Sequence, residues 1–271
     1  MHDPAPDRPP EGNERWMLLG AFLVALGALI AIVVEDYEPV KLAPVFMLLS
    51  WFPLIAWHEL GHAVVARLVG WRVDAIVVGF GGVAFAFEVG SIRCAIKMYP
   101  LGGYVTPRPR STDGIRWKSA LVYAAGPLAE LLLVGVVALV LGPDTLLTRT
   151  DAIGVIALQA VAIAASLGVV FNLVPRRVQT ERGESYTDGM GILVSLLRPP
   201  ESYALEVRNG HERRILASRT AEEALLASEE AYREIGDDPH VRATMIEVLD
   251  RLDADVTGRA LPERVLERLG R

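Results

Sequence analysis

"PVFMLLSWFPLIAWHELGHAVVARL", residues 44–68, is apolar over a length that crosses a bilayer, yet its second half holds His58, Glu59 and His62. A membrane-spanning helix takes about 20 residues. Ionisable side chains inside such a helix are expensive, and by default they mark function. Residues i and i+4 share a helix face, one turn apart. His58 and His62 can therefore aim two imidazoles at one ion, and Glu59 can reach a water beside that ion. Histidine and carboxylate ligands with one position left open suit zinc. The plainer reading makes the histidines groups between helices, but three ionisable side chains then cluster on a turn and a half of an apolar helix.

Three further blocks, near residues 17–34, 118–142 and 152–174, are long enough, or nearly so, to do the same. The chain of 271 residues is 52% hydrophobic, with a mean hydropathy of +0.33. Its apolar residues fall in blocks through the first two-thirds, and the last third is highly charged. The pattern predicts a polytopic α-helical membrane protein with about four transmembrane helices, a small membrane-associated β-sheet or hairpin, and a cytoplasmic α-helical tail. A net charge of -6 and the lack of a basic stripe argue against a nucleic-acid partner. Cys94 is the one cysteine, so no intrachain disulfide forms, and it reads as a small apolar filler.

The start, "MHDPAPDRPPEGNER", is rich in proline and charge and predicts a disordered tail over 1–16. It has no basic n-region. The first apolar block runs into "EDYEPV" without a small-residue cleavage site, which predicts a retained helix.

Between the second and third blocks the period changes to two. Val83, Phe85, Phe87 and Val89 alternate, and after Gly90-Ser91 so do Ile92, Cys94, Ile96 and Met98. That is a β-hairpin signal, within a region of about 73–105, and "VDAIVV" before it reads as a further strand. After the fourth block, "RRVQTERGESYT" reads as a polar loop and "DGMGILVSLLR" as a short amphipathic run. From 200 to 271 the pattern is helical and charged, a soluble domain in which "TAEEALLASEEAYREIG" and "HVRATMIEVLDRLDA" form two helices joined at "DDP".

The basic residues predict the orientation. Arg67, Arg72, Arg93, Lys97, Arg108, Arg110, Arg116 and Lys118 follow block two, and Arg176, Arg177 and Arg182 follow block four. The other two connections carry only Lys41 and Arg149. Basic loops stay inside, so both termini, the sheet and the tail are expected in the cytoplasm of a multi-pass cell-membrane protein.

These motifs together resemble the site-2 protease family, the M50-type zinc metalloproteases that cut substrates within the membrane. "HELGH" matches its metal motif. "PLGGYV", Pro100 to Val105, is similar to the signature after its hairpin. "AAGPLAE" resembles its Ala-Gly-Pro motif, and "FNLVP", followed by Asp188-Gly189, resembles its Asn-x-x-Pro…Asp-Gly motif. The resemblance covers about 50–200 and implies a metalloprotease domain over 17–199. It implies one zinc ion per chain on His58, His62 and Asp188, with Glu59 as the catalytic base. It also implies places beside the substrate or behind the ligands for Asn172, Glu130, Gly102 and Gly103.

Two departures stand out. The spacer between Pro175 and Asp188 is long and holds Glu181 and Glu184 as rival ligands, while Asp188 has an alternative role as a helix N-cap. Glu130 stands where relatives often have asparagine, and can bond a ligand or pair with an arginine.

The expected partners are the lipid bilayer and a membrane-tethered protein substrate, of the kind of a transcriptional regulator or its inhibitor, cut in regulated intramembrane proteolysis. A β-edge beside the site would hold the substrate extended, or else plug the site. The tail offers a surface for a regulatory partner or self-association. Two rivals of other classes remain: a non-catalytic zinc-binding scaffold, against which the intact Glu59 speaks, and a zinc transporter or sensor, which would need further polar ligands along several helices.

Overall fold

The protein is described by a computed structural model over residues 37–180 and 183–252, with isolated positions between 20 and 35. The tail 1–16, most of the block 17–34 and residues 253–271 lie outside the described residues. Three helices among the described residues are long and apolar enough to cross a membrane: Pro39–Leu68, Ile115–Leu141 and Ile153–Leu173. These coincide with blocks two, three and four of the sequence.

Helix α1, Ala43–Leu68, follows a short 3-10 turn, Pro39–Leu42. Pro44 suits its first turn, where an N–H has no helical partner. Its end is a Schellman motif. Gly70, at φ +84°, reverses the chain, Trp71 N–H donates to the Ala66 carbonyl at 2.9 Å, and Gly70 N–H donates to Arg67 at 3.0 Å. The chain leaves this turn directly into β1, Arg72–Val89, which pairs with β2, Ile92–Arg108, across Gly90-Ser91. "VDAIVV" is thus the first half of β1, not a separate strand, and "PLGGYV" lies inside β2. Gly79, at φ +95°, permits the close pass of β1 over β2, since a Cβ there would stand 2.8 Å from the Tyr99 carbonyl oxygen. The base of the hairpin is buried at Val73, Val77 and Val78, while its far end exposes Val83, Phe85 and Phe87.

Helix α2, Ile115–Leu141, leads through the short α3, Pro143–Leu147, to α4, Ile153–Leu173. Leu54 of α1 packs on Ala164 and Ala165 of α4, with Leu133 and Val134 of α2 against them. Small residues bring helices close where apolar packing alone gives little net drive. Gly61 shows this between α1 and α2: a Cβ there would lie 2.7 Å from the Ala125 carbonyl oxygen and 2.8 Å from Ala129 Cβ. The outer faces expose Leu49, Leu132, Leu139, Val140 and Phe171, as suits lipid.

The polar stretch after α4 is a hairpin, not a loop. β3, Arg177–Thr180, pairs antiparallel with β4, Gly183–Tyr186, in the register Arg177↔Tyr186 and Thr180↔Gly183. Helix α5, Asp188–Leu197, follows.

A second compact unit combines residues 108–115 with the chain from 199 onward. Its described helices are α6, Glu201–Leu216; α7, Ala221–Ile235; and α8, Pro239–Arg251. The first joins the two expected from sequence. Its buried stripe is Tyr203, Val207, His211 and Ile215, at intervals of four. A histidine in that stripe and Asn209-Gly210 beside it blur the apolar period. Ile215, Ala224, Ala231, Val241, Met245 and Val248 form this unit's core. Thr220 caps α7 by accepting from Glu223 N–H, and Asp238 caps α8 by accepting from His240 and Val241 N–H. Arg110 lies 3.6 Å from Glu230 and 3.5 Å from Glu234 of α7, which ties the 108–115 segment to the helices.

The α1–α2 crossing depends on the missing side chain at Gly61. Gly61→Val is expected to destabilise the detergent-solubilised protein by about 1–3 kcal/mol, the usual effect of overpacking. Gly135→Ala, where a Cβ meets nothing within 4 Å, is the control and should be no less stable than the parent. Denaturant unfolding followed by tryptophan fluorescence measures both.

Candidate metal centre

His58 and His62 lie on the face of α1 that meets α2, and both are buried. What α2 offers there is Gly126. A Cβ at this position would stand 2.4 Å from His58 Nε2 and 2.5 Å from His62 Nε2, so only glycine leaves room for the two rings. The rings meet edge to face, with centroids 4.7 Å apart.

His62 Nδ1 lies 2.6 Å from the Val122 carbonyl oxygen. A carbonyl only accepts, so Nδ1–H is the donor and the lone pair sits on Nε2. That Nε2 is 3.0 Å from His58 Nε2. Asp188 completes the group: its Oδ2 is 3.0 Å from His58 Nε2 and its Oδ1 3.3 Å from His62 Nε2. His58, His62 and Asp188 form a cluster whose ligand atoms lie within 4.8 Å of one another, able to hold one metal ion. Ligands about 2.0–2.2 Å from a tetrahedral ion stand roughly 3.3 Å from each other, and these separations fit that geometry.

Asp188 is delivered by a closed excursion of the chain. Thr187 Oγ1 donates to the Val174 carbonyl at 2.8 Å and accepts from Arg176 N–H at 3.1 Å, while Thr187 N–H donates to the Arg176 carbonyl at 3.1 Å. The β3–β4 hairpin bulges out beyond this closure. The end of α4 and the start of α5 therefore stay adjacent, so close that a Cβ at Gly189 would stand 1.9 Å from the Leu173 carbonyl oxygen. The N-cap position of α5 belongs to Thr187, and Asp188 is its first helical residue, with its carboxylate turned to the histidines. Of the rival ligands, Glu181 lies outside the described residues and Glu184 sits in β4, on the hairpin.

Glu59 is buried next to His58. β2 passes directly over it: a Cβ at Gly103 would stand 2.7 Å from Glu59 Oε1. Gly102, by contrast, faces open space, with nothing within 4 Å of such an atom. Glu130 of α2 is buried and pairs with no arginine among the described residues; its Oε2 lies 3.3 Å from His58 Nδ1. Asn172 occupies the last turn of α4, two residues before the Val174 closure. Gly126 and Thr187 were not singled out from sequence. The first lay inside the quoted "AAGPLAE", but its use shows only when the facing rings are in place.

The model of peptidase family M50 matches residues 46–174. Curated relatives carry the name "putative zinc metalloprotease". One from Chlamydia pneumoniae is 37% identical over 101 residues, 30% of this chain and 16% of that protein. One from Clostridium perfringens is 27% identical over 180 residues, 62% of this chain and 51% of the relative. One from Helicobacter pylori is 42% identical over 52 residues, 19% and 15% of the two lengths. The chain thus spans about half, or far less, of the length of these relatives.

The geometry brings Asp188 to the two histidines as a candidate third ligand. Asp188→Ala should lower bound metal in the purified protein at least about tenfold, whereas Glu181→Ala and Glu184→Ala should keep one metal per chain by elemental analysis. Metal loss in Glu184→Ala with retention in Asp188→Ala is the contrary result.

Proposed function

We propose that the chain, whose residues 46–174 match the model of peptidase family M50, is a zinc-dependent endopeptidase that cuts membrane-tethered proteins in or near their transmembrane segment. The observation that carries this reading is the meeting of three elements at one point: the ligand cluster of His58, His62 and Asp188, the carboxylate of Glu59, and the backbone of β2 at Gly103. Bound zinc would supply a Lewis acid that polarises a peptide carbonyl and acidifies water. His58, His62 and Asp188 would hold it, through two nitrogens and one carboxylate. Glu59 accepts the proton of the attacking water and passes it to the leaving amine. A strand beside Glu59 offers main-chain hydrogen bonds to a substrate segment that has unwound, which a helical peptide bond needs before it can be attacked.

The three apolar helices support a membrane setting, and the basic residues of the connections support a cytoplasmic location for the hairpins and the tail. His58 and His62 lie six to ten residues before Leu68. At 1.5 Å per residue that is roughly 9–15 Å from the helix end, a depth that water would have to reach from the cytoplasmic side. Cleavage there would release a product to the cytosol, which is the logic of regulated release of a tethered transcriptional regulator.

Two experiments test this. Glu59→Gln should retain zinc and lose cleavage of a membrane-tethered reporter by on the order of 10²-fold or more; turnover at the parent's rate would remove Glu59 from the reaction. Single cysteines at 113 and 183 should react with a membrane-impermeant reagent only in inverted vesicles, and one at 146 only in intact cells. Labelling of 113 or 183 from outside would reverse the orientation.

A further inference from the structure

We propose that Glu130 is the positioning residue for the metal ligand His58, and that Gly168 reserves the space its carboxylate needs. The proposal rests on the metal-site reading above and adds a third helix to it. Both histidines turn Nε2 to the centre, so each has an Nδ1 to satisfy. His62 does so on the Val122 carbonyl. His58 Nδ1 and Glu130 Oε2 are both buried, stand 3.3 Å apart, and have no other hydrogen-bond partner among the described residues. Each is placed to satisfy the other, and a small realignment makes the bond. A carboxylate accepting from Nδ1–H fixes the tautomer that leaves the Nε2 lone pair free, and it strengthens the imidazole as a ligand. The two histidines are thus held by different means, one by backbone and one by an anionic side chain.

Gly168 belongs to α4. A Cβ there would stand 2.6 Å from Glu130 Oε1 and 3.1 Å from Oε2. The carboxylate occupies the volume that a side chain at 168 would fill. The three nearest atoms outside its own helix backbone are all at the far end of the flexible Glu130 side chain. Alanine at 168 would therefore swing the carboxylate away from His58 and leave the helix packing in place. That separates aim from architecture.

The experiment uses the full chain in detergent, stripped of metal and titrated with zinc ion alone against a competing chelator, with thermal unfolding of the metal-free protein in parallel. Glu130→Ala should weaken zinc binding by about 10–100-fold. Glu130→Gln keeps the acceptor oxygen and loses the charge, so it should fall between Glu130→Ala and the parent. Gly168→Ala should weaken zinc binding while the metal-free protein unfolds at the parent's temperature. Parent-like zinc affinity in both Glu130→Gln and Gly168→Ala would overturn the proposal. So would an affinity loss that appears only together with a lowered unfolding temperature of the metal-free protein, since that marks a structural role. A parent chain that takes up no zinc would instead overturn the metal-centre reading itself.

Discussion

Two imidazoles and a carboxylate meet in a nearly dry interior, with their facing atoms 3.0–3.3 Å apart, an arrangement that one cation would hold together. Left without a metal ion or a shared proton, such buried groups would lose their water and gain repulsion. Much of the architecture follows from meeting that demand. The two rings come from one helix, because a turn is the right spacing. The helix opposite must come close enough to shield them, and Gly61 and Gly126 remove the side chains that would prevent it. The carboxylate cannot come from the same helix face, so it is brought by the segment after α4.

That delivery explains how a long spacer is compatible with a tight site. The β3–β4 hairpin satisfies its own backbone, and Thr187 bonds both Val174 and Arg176 at its base. Closing a loop at its base makes its length almost irrelevant to what lies on either side, because closure entropy rises only slowly with length. Asp188 is placed by the closure, not by the residues between.

The site was more legible in the sequence than its surroundings were. His58, Glu59 and His62 stand out as polar residues in an apolar helix, and Asp188 came from the resemblance of "FNLVP" and the following Asp-Gly to a family motif; the fold brings the two histidines and the aspartate together. The spans of α1, α2 and α4 follow from hydropathy alone, and the main hairpin from its period of two. The β3–β4 pair escaped because Arg177, Gln179, Glu184 and Ser185 give a polar hairpin no apolar face to reveal its period. Helix α6 escaped because His211 takes an apolar place in its buried stripe. The close approaches at Gly126 and Gly168 are long-range facts: a glycine announces freedom, but which neighbour uses that freedom is settled only by the fold.

The Schellman ending of α1 leaves no slack between the metal helix and the first strand. From His62 the path to Arg72 runs through a turn and a half of helix and a reversal locked by two hydrogen bonds. A flexible linker there would absorb a pull on the hairpin. This joint makes helix and strand one lever with the ligand on its short arm. A load on the sheet would therefore reach the imidazole as torque and would not be taken up in the turn.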